Sequence, residues 1–154
     1  MDNDGFTLIE VLVVLAIIGI LAGIFGWSFL SSIRKAELRE AANQVASDFR
    51  RARSQAQRGS ADVVVDWTLD AGGKISSYSV AGQSRPVANR VSMSCTTGCG
   101  SGSSITNKVT YTAPYGELGA TGNVFTLRSP MTSLPSIEVR IVGVTGKVIV
   151  AGGS

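Results

Sequence analysis

The chain has 154 residues, enough for one globular domain and a separate anchoring segment. Its formal charge of +3 comes from 14 basic and 11 acidic residues; without Asp2 and Asp4 the balance is 14 against 9, or +5, too mild for a protein that coats nucleic acid. There is no His, and Cys95 and Cys99 are the only thiols, so a metal site would be almost without ligands and neither metal nor cofactor is expected.

The chain opens on Met1-Asp2-Asn3-Asp4-Gly5, followed by Phe6-Thr7-Leu8-Ile9-Glu10 and an apolar run from Val11 to Leu30 whose only polar side chain is Ser28. A carboxylate at the mouth of a membrane-length helix needs a reason, because an ionised one costs about 2.5–3.5 kcal/mol at the centre of a bilayer. A secretory signal would have a basic start, a shorter apolar core and a small-residue cleavage site, whereas this start is acidic and the run ends in Trp27-Ser28-Phe29. A plain single-span anchor suits the length, since roughly 20 apolar residues cross a bilayer, but it leaves Glu10 unexplained. Thr7-Leu8-Ile9-Glu10 also has the spacing of a capping box, with Phe6 and Val11 placed to staple it.

Gly-Phe-Thr-Leu-Ile-Glu before an uninterrupted apolar run resembles the class III leader of type IV pilins and type II secretion pseudopilins. That resemblance implies a prepilin peptidase that cuts after Gly5 and methylates the new amino terminus on Phe6. It maps the family's conserved glutamate onto Glu10, whose charge the freed amine of Phe6 on a neighbouring subunit would balance in the low dielectric of a filament core. The leader differs in carrying Asp2 and Asp4 where the family usually has basic residues, and no Pro occurs before Pro86. Gly19, Gly23 and Gly26 are placed to loosen the helix instead, and Gly19 with Gly23 permits close helix approach.

Beyond the span, Leu38, Ala42, Val45, Phe49, Ala52 and Ala56 recur at alternating spacings of four and three, one narrow apolar stripe, with Arg39, Glu40, Asp48, Arg50, Arg51 and Arg53 mostly off it. A helix from Thr7 to Arg58, ended by Gly59-Ser60, would be about 52 residues and roughly 78 Å long. No small domain can bury such a rod. Its first half must lie in lipid or among partner helices, and its second half must hold a head. The Arg50–Arg53 cluster with Arg58 reads as a solvated face or subunit contact, with Asp48 and Glu40 close enough to pair with part of it. Ala52-Arg53-Ser54-Gln55-Ala56, then Arg58-Gly59 and a Val-rich segment, resembles the GspH/FimT group of minor pilins and pseudopilins.

From Ala61 onward the period changes. Strands are expected at Val63–Leu69, Ile75–Val80, Val87–Met93, Val109–Tyr111, Val124–Leu127, Ile137–Val142 and Val144–Val150, with turns at Asp70–Lys74 and at Thr145-Gly146-Lys147. The Ser-Gly-Thr tract around residues 96–104 reads as an exposed loop. Cys95 and Cys99 lie too far apart for a redox motif; outside the cytoplasm a disulfide closing their short loop is the expected state. The last hairpin again resembles the closing segment of the GspH/FimT head.

Enzyme chemistry finds little support: no His can serve as a base, no Gly-x-Ser-x-Gly elbow occurs, and Asp62, Asp66 and Asp70 straddle a strand and its turn. The expected architecture is α+β, a long N-terminal helix packed on a β-rich antiparallel head, which is the pilin fold. It divides into a leader (1–5), a transmembrane or filament-core helix (6–30), an amphipathic half (31–59) and the head (60–154). The resemblance implies a non-catalytic subunit held in the inner membrane with its head in the periplasm or outside, then assembled into a pilus by helix packing, at or near the tip. Implied partners are other pilins or pseudopilins, the prepilin peptidase, an inner-membrane assembly platform, and lipid before assembly. A type II secretion pseudopilin and a plain anchored binding module are the alternatives. The FimT side of the group binds DNA through a Gly-Arg-x-Arg pattern near its C-terminus; here the corresponding turn is Gly146-Lys147-Val148-Ile149, so any DNA contact falls to Lys147 with Arg140 and Arg128.

Overall fold

The computed structural model describes residues 7–88, 90–99, 107–119 and 121–152. The chain divides into two compact units, Met1–Ile33 and Arg34–Ser154. Helix α1 (Leu8–Gly59) is continuous over 52 residues. Thr7 caps it: its Oγ1 accepts the Glu10 N–H at 3.3 Å and its carbonyl accepts the Val11 N–H at 3.3 Å. Ser31 and Ser32 donate their hydroxyls back to the Ser28 carbonyl at 2.8 and 3.1 Å, which satisfies both without breaking the helix. At the far end Ser60, rather than Gly59, takes the left-handed turn that stops the helix, with φ 50°.

In the second unit α1 buries the expected stripe of Leu38, Ala42, Val45, Phe49, Ala52 and Ala56, together with Ala41 and Ala46. The many Ala residues let the helix sit close to the sheet. Among the described residues eight strands form one antiparallel sheet: β1 (Val63–Leu69), β2 (Ile75–Val80), β3 (Gln83–Pro86), β4 (Ser92–Thr97), β5 (Lys108–Tyr111), β6 (Asn123–Arg128), β7 (Ile137–Ile141) and β8 (Val148–Gly152). Their order is β5-β1-β2-β4-β6-β7-β8, with β3 folded back on β2. Alternate residues face the core, among them Val65 and Trp67 of β1, Phe125 and Leu127 of β6, and Ile137, Val139 and Ile141 of β7.

The sheet has a seam. β2 and β4 share a single registered pair, Ile75 with Met93, because the β2–β3 hairpin occupies the rest of that edge. Aromatic rings bridge the two halves instead. Phe49 of α1 lies 6.5 Å from the Tyr78 ring of β2 and 5.2 Å from the Phe125 ring of β6. Trp67 of β1 meets Phe125 edge-on at 5.1 Å.

Several expectations are corrected. The segment Val87–Met93 is not one strand: residues 87 and 88 and 90 and 91 are loop, flanked by β3 and by β4, which starts at Ser92. β4 also runs through Thr97, so the start of the Ser-Gly-Thr tract is strand; residues 100–106 lie outside the described residues. Val144–Lys147 belongs to the turn before β8, with Val144 at φ 60° and Gly146 at φ 62°. Asp48 is not a surface partner of the arginine cluster. It is 3% exposed and faces the sheet.

Candidate functional site

Between residues 7 and 33 the sequence has one charged side chain, Glu10. The helix here is long and apolar enough to cross a membrane, with a mean hydropathy of 2.9 in its most apolar stretch. Its large apolar side chains are exposed, Leu8 at 78% and Phe29 at 69%. So much bare apolar surface demands lipid or other helices as cover. Glu10 is exposed too, at the third helical position, where its own N–H closes the cap with Thr7. The capping geometry leaves the carboxylate available to a second helix. Gly5 and Phe6 lie outside the described residues.

In the head, Asp48 joins α1 to two strands. It accepts the Tyr78 hydroxyl at 2.7 Å through Oδ2 and Arg85 Nη1 at 2.9 Å through Oδ1. A buried carboxylate is tolerable only when paired in this way, and the pairing fixes the register of helix against β2 and β3. Burial pushes the Tyr78 phenol well above its ordinary range, helped by the Asp48 bond and charge and opposed by Arg85. Burial does the same to Tyr111 of β5, with the Arg53 charge opposing. A raised phenol stabilises the fold fully below the unfolded value of about 10, and that contribution is lost as pH rises above it. Each of the two tyrosines should therefore remove about 1.4 kcal/mol per pH unit above about pH 10. Denaturant midpoints measured against pH should show this slope roughly halved in Tyr111→Phe. An unchanged slope would contradict it. Near neutral pH the same variant should be no less stable, since the buried Tyr111 Oη has no hydrogen-bond partner.

The Cys95–Cys99 disulfide is formed. Closing so short a loop contributes about 2 kcal/mol by chain entropy. Asn123 holds the loop against β6 by donating Nδ2 to the Gly98 carbonyl at 2.9 Å.

The end of α1 meets two turns. Gln57 donates Nε2 to the Tyr115 carbonyl at 3.0 Å, fastening the 112–117 turn to the helix. Gly116 has φ 65°, and a Cβ there would meet Arg53 Cγ at 2.9 Å; Gly146 has φ 62°, and a Cβ there would stand 2.5 Å from the Gly116 carbonyl oxygen. Both positions need glycine for conformation and for space. This contact sets Lys147 beside α1, where Arg50, Arg53, Ser54, Gln57, Lys147 and Val148 line a cleft of about 420 Å³.

Of the three basic residues expected near the closing hairpin, Arg128 is the outlying one. Lys147 is among the residues lining the cleft beside α1. Arg140 lies on the outer face of β7 and donates Nε and Nη2 to Glu138 Oε2 at 2.8 and 2.6 Å. Arg128 ends β6, four residues from Val124, the residue opposite Arg140, or ~13 Å along the strand. The juxtaposition that sequence reasoning missed is Lys147 with Arg50 and Arg53. Its signal was the spacing of Arg50, Arg53, Ser54 and Gln57 along one helix face.

The helix has an exposed apolar start, and its amphipathic half is buried under an antiparallel sheet, an α+β architecture. The prokaryotic N-terminal methylation motif matches residues 1–26. The type IV minor pilin FimU of Pseudomonas aeruginosa strain PAO1 is similar in two crystal forms. One is 16% identical with a TM-score of 0.55, over 75% of this chain and 94% of FimU. The other is 17% identical with a TM-score of 0.57, over 77% and 90%. No curated protein sequence matches the chain. The N-terminal motif and the fold are thus both similar to those of type IV pilins.

Proposed function

We propose that this chain is a minor pilin, a structural and non-catalytic subunit of a type IV pilus. A prepilin peptidase cuts it after Gly5 and methylates Phe6. Residues 6–30 hold it in the inner membrane with the head outside the cytoplasm, until an assembly platform packs its helix among those of other pilins. In the filament Glu10 meets the Phe6 amine of a neighbour, so that a carboxylate costly in lipid becomes a registry device. At or near the tip, the head primes assembly or contacts a surface.

The observation that carries this reading is the exposed apolar helix of residues 7–33 with its single carboxylate at the start. A plain anchor explains the apolar surface but not Glu10. Gly5→Val should leave an uncleaved precursor that migrates more slowly than the wild-type chain in a host with an active prepilin peptidase. Equal mobility of the two would remove the reading.

A further inference from the structure

We propose that the cleft between the last turns of α1 and the turn before β8 binds a terminal phosphate group, as inorganic phosphate or as a phosphate monoester. Its lining brings together Arg50 and Arg53 from the helix and Lys147 from the turn, with no carboxylate among the lining residues. The assembly is built rather than incidental. Gln57 fastens one turn to the helix, and the close approach of Gly146 to Gly116 fixes the other, so Lys147 lines the same cleft as two arginines far from it in sequence.

These cations are largely unspent. Among the described residues Arg53 and Lys147 make no ion pair, and Arg50 donates Nη2 to the Val148 carbonyl at a long 3.3 Å. Arg53 Nε is buried without a hydrogen-bond partner, so contact from the cleft falls to the two Nη groups of Arg53, which have no partner among the described residues. Ser54 Oγ accepts from Arg58 Nη2 at 2.6 Å, which leaves its own proton to donate elsewhere.

Charge and donor count select the ligand class. A carboxylate brings one charge and two oxygens. A phosphate monoester brings about −1.5 to −2 at pH 7 and three acceptor oxygens, a better match to three cations and a hydroxyl. Arg53 supplies the fork geometry that phosphate accepts in pairs of bonds, and Lys147 supplies a point charge. The volume of about 420 Å³ leaves room for part of the molecule that carries the phosphate.

The test is titration calorimetry on the full chain in non-ionic detergent at fixed ionic strength, with inorganic phosphate, phenyl phosphate, acetate and duplex DNA as probes. Saturable binding of both phosphates is expected, with acetate much weaker. Lys147→Gln should weaken phosphate about tenfold, the loss of one charge-assisted hydrogen bond. Because Lys147 is exposed, the thermal midpoint should stay unchanged. Arg53→Lys keeps the charge but not the fork and should also weaken binding. Tighter binding of phenyl phosphate than of inorganic phosphate identifies the monoester as the ligand, and the reverse identifies the free ion. No saturable phosphate binding, equal affinity in wild type and Lys147→Gln, acetate as tight as phosphate, or duplex DNA displacing phosphate at lower concentration would each overturn the proposal. The dispersed chain serves for all of these measurements, so their outcome is independent of filament assembly.

Discussion

Arg85→Met is expected to destabilise the head by about 3–5 kcal/mol, more than any change on its outer sheet face. The substitution strips the ion partner from a carboxylate that is 3% exposed, leaving Asp48 with the Tyr78 hydroxyl alone. Asp48→Asn should cost less, about 1–2 kcal/mol, since the amide still bonds to Tyr78 and the Arg85 side chain, 32% exposed, can turn to water. Denaturant unfolding of the full chain in detergent gives both values. An Arg85→Met cost equal to or below that of Asp48→Asn would mean that the ion pair does not fix the helix on β2 and β3.

Glu10→Ala is expected to reduce incorporation into filaments at least about tenfold, equivalent to about 1.4 kcal/mol or more of lost assembly free energy. Membrane retention should be unchanged or improved, because removing an ionised carboxylate from an apolar helix relieves a cost of up to about 2.5–3.5 kcal/mol. That opposition separates a registry role from an anchoring one. Membrane and sheared-filament fractions compared by quantitative blotting read both quantities. Undiminished filament content would leave Glu10 with capping alone, where its backbone N–H already meets Thr7.

Local features of the fold were the legible ones. The 3.6-residue stripe from Leu38 to Ala56 predicted the buried helix face, and the β-branched runs at Val63–Leu69 and Ile75–Val80 coincide with β1 and β2. β3 escaped because Gln83-Ser84-Arg85-Pro86 has no strand former; it is held by pairing with β2, and Pro is tolerated there because it ends the strand. Val87 and Val91 drew the expected strand into a loop, since they pack on the core or insert into it from irregular backbone. Asp48 misled for a similar reason. On a helix rich in arginine a carboxylate reads as a surface partner, and its true partner stands 37 residues away on the least legible strand. The cleft was hidden because Lys147 comes to share a lining with Arg50 and Arg53 only through the packing of two glycine turns.

The most direct measurement of the filament-subunit reading is the amino terminus of the chain recovered from sheared filaments, read by mass spectrometry of its N-terminal peptide. A peptide beginning at Phe6 with a methyl group on its amine is the expected result. A recovered chain that still begins at Met1, or one that begins at Phe6 yet is confined to the membrane fraction, would contradict it.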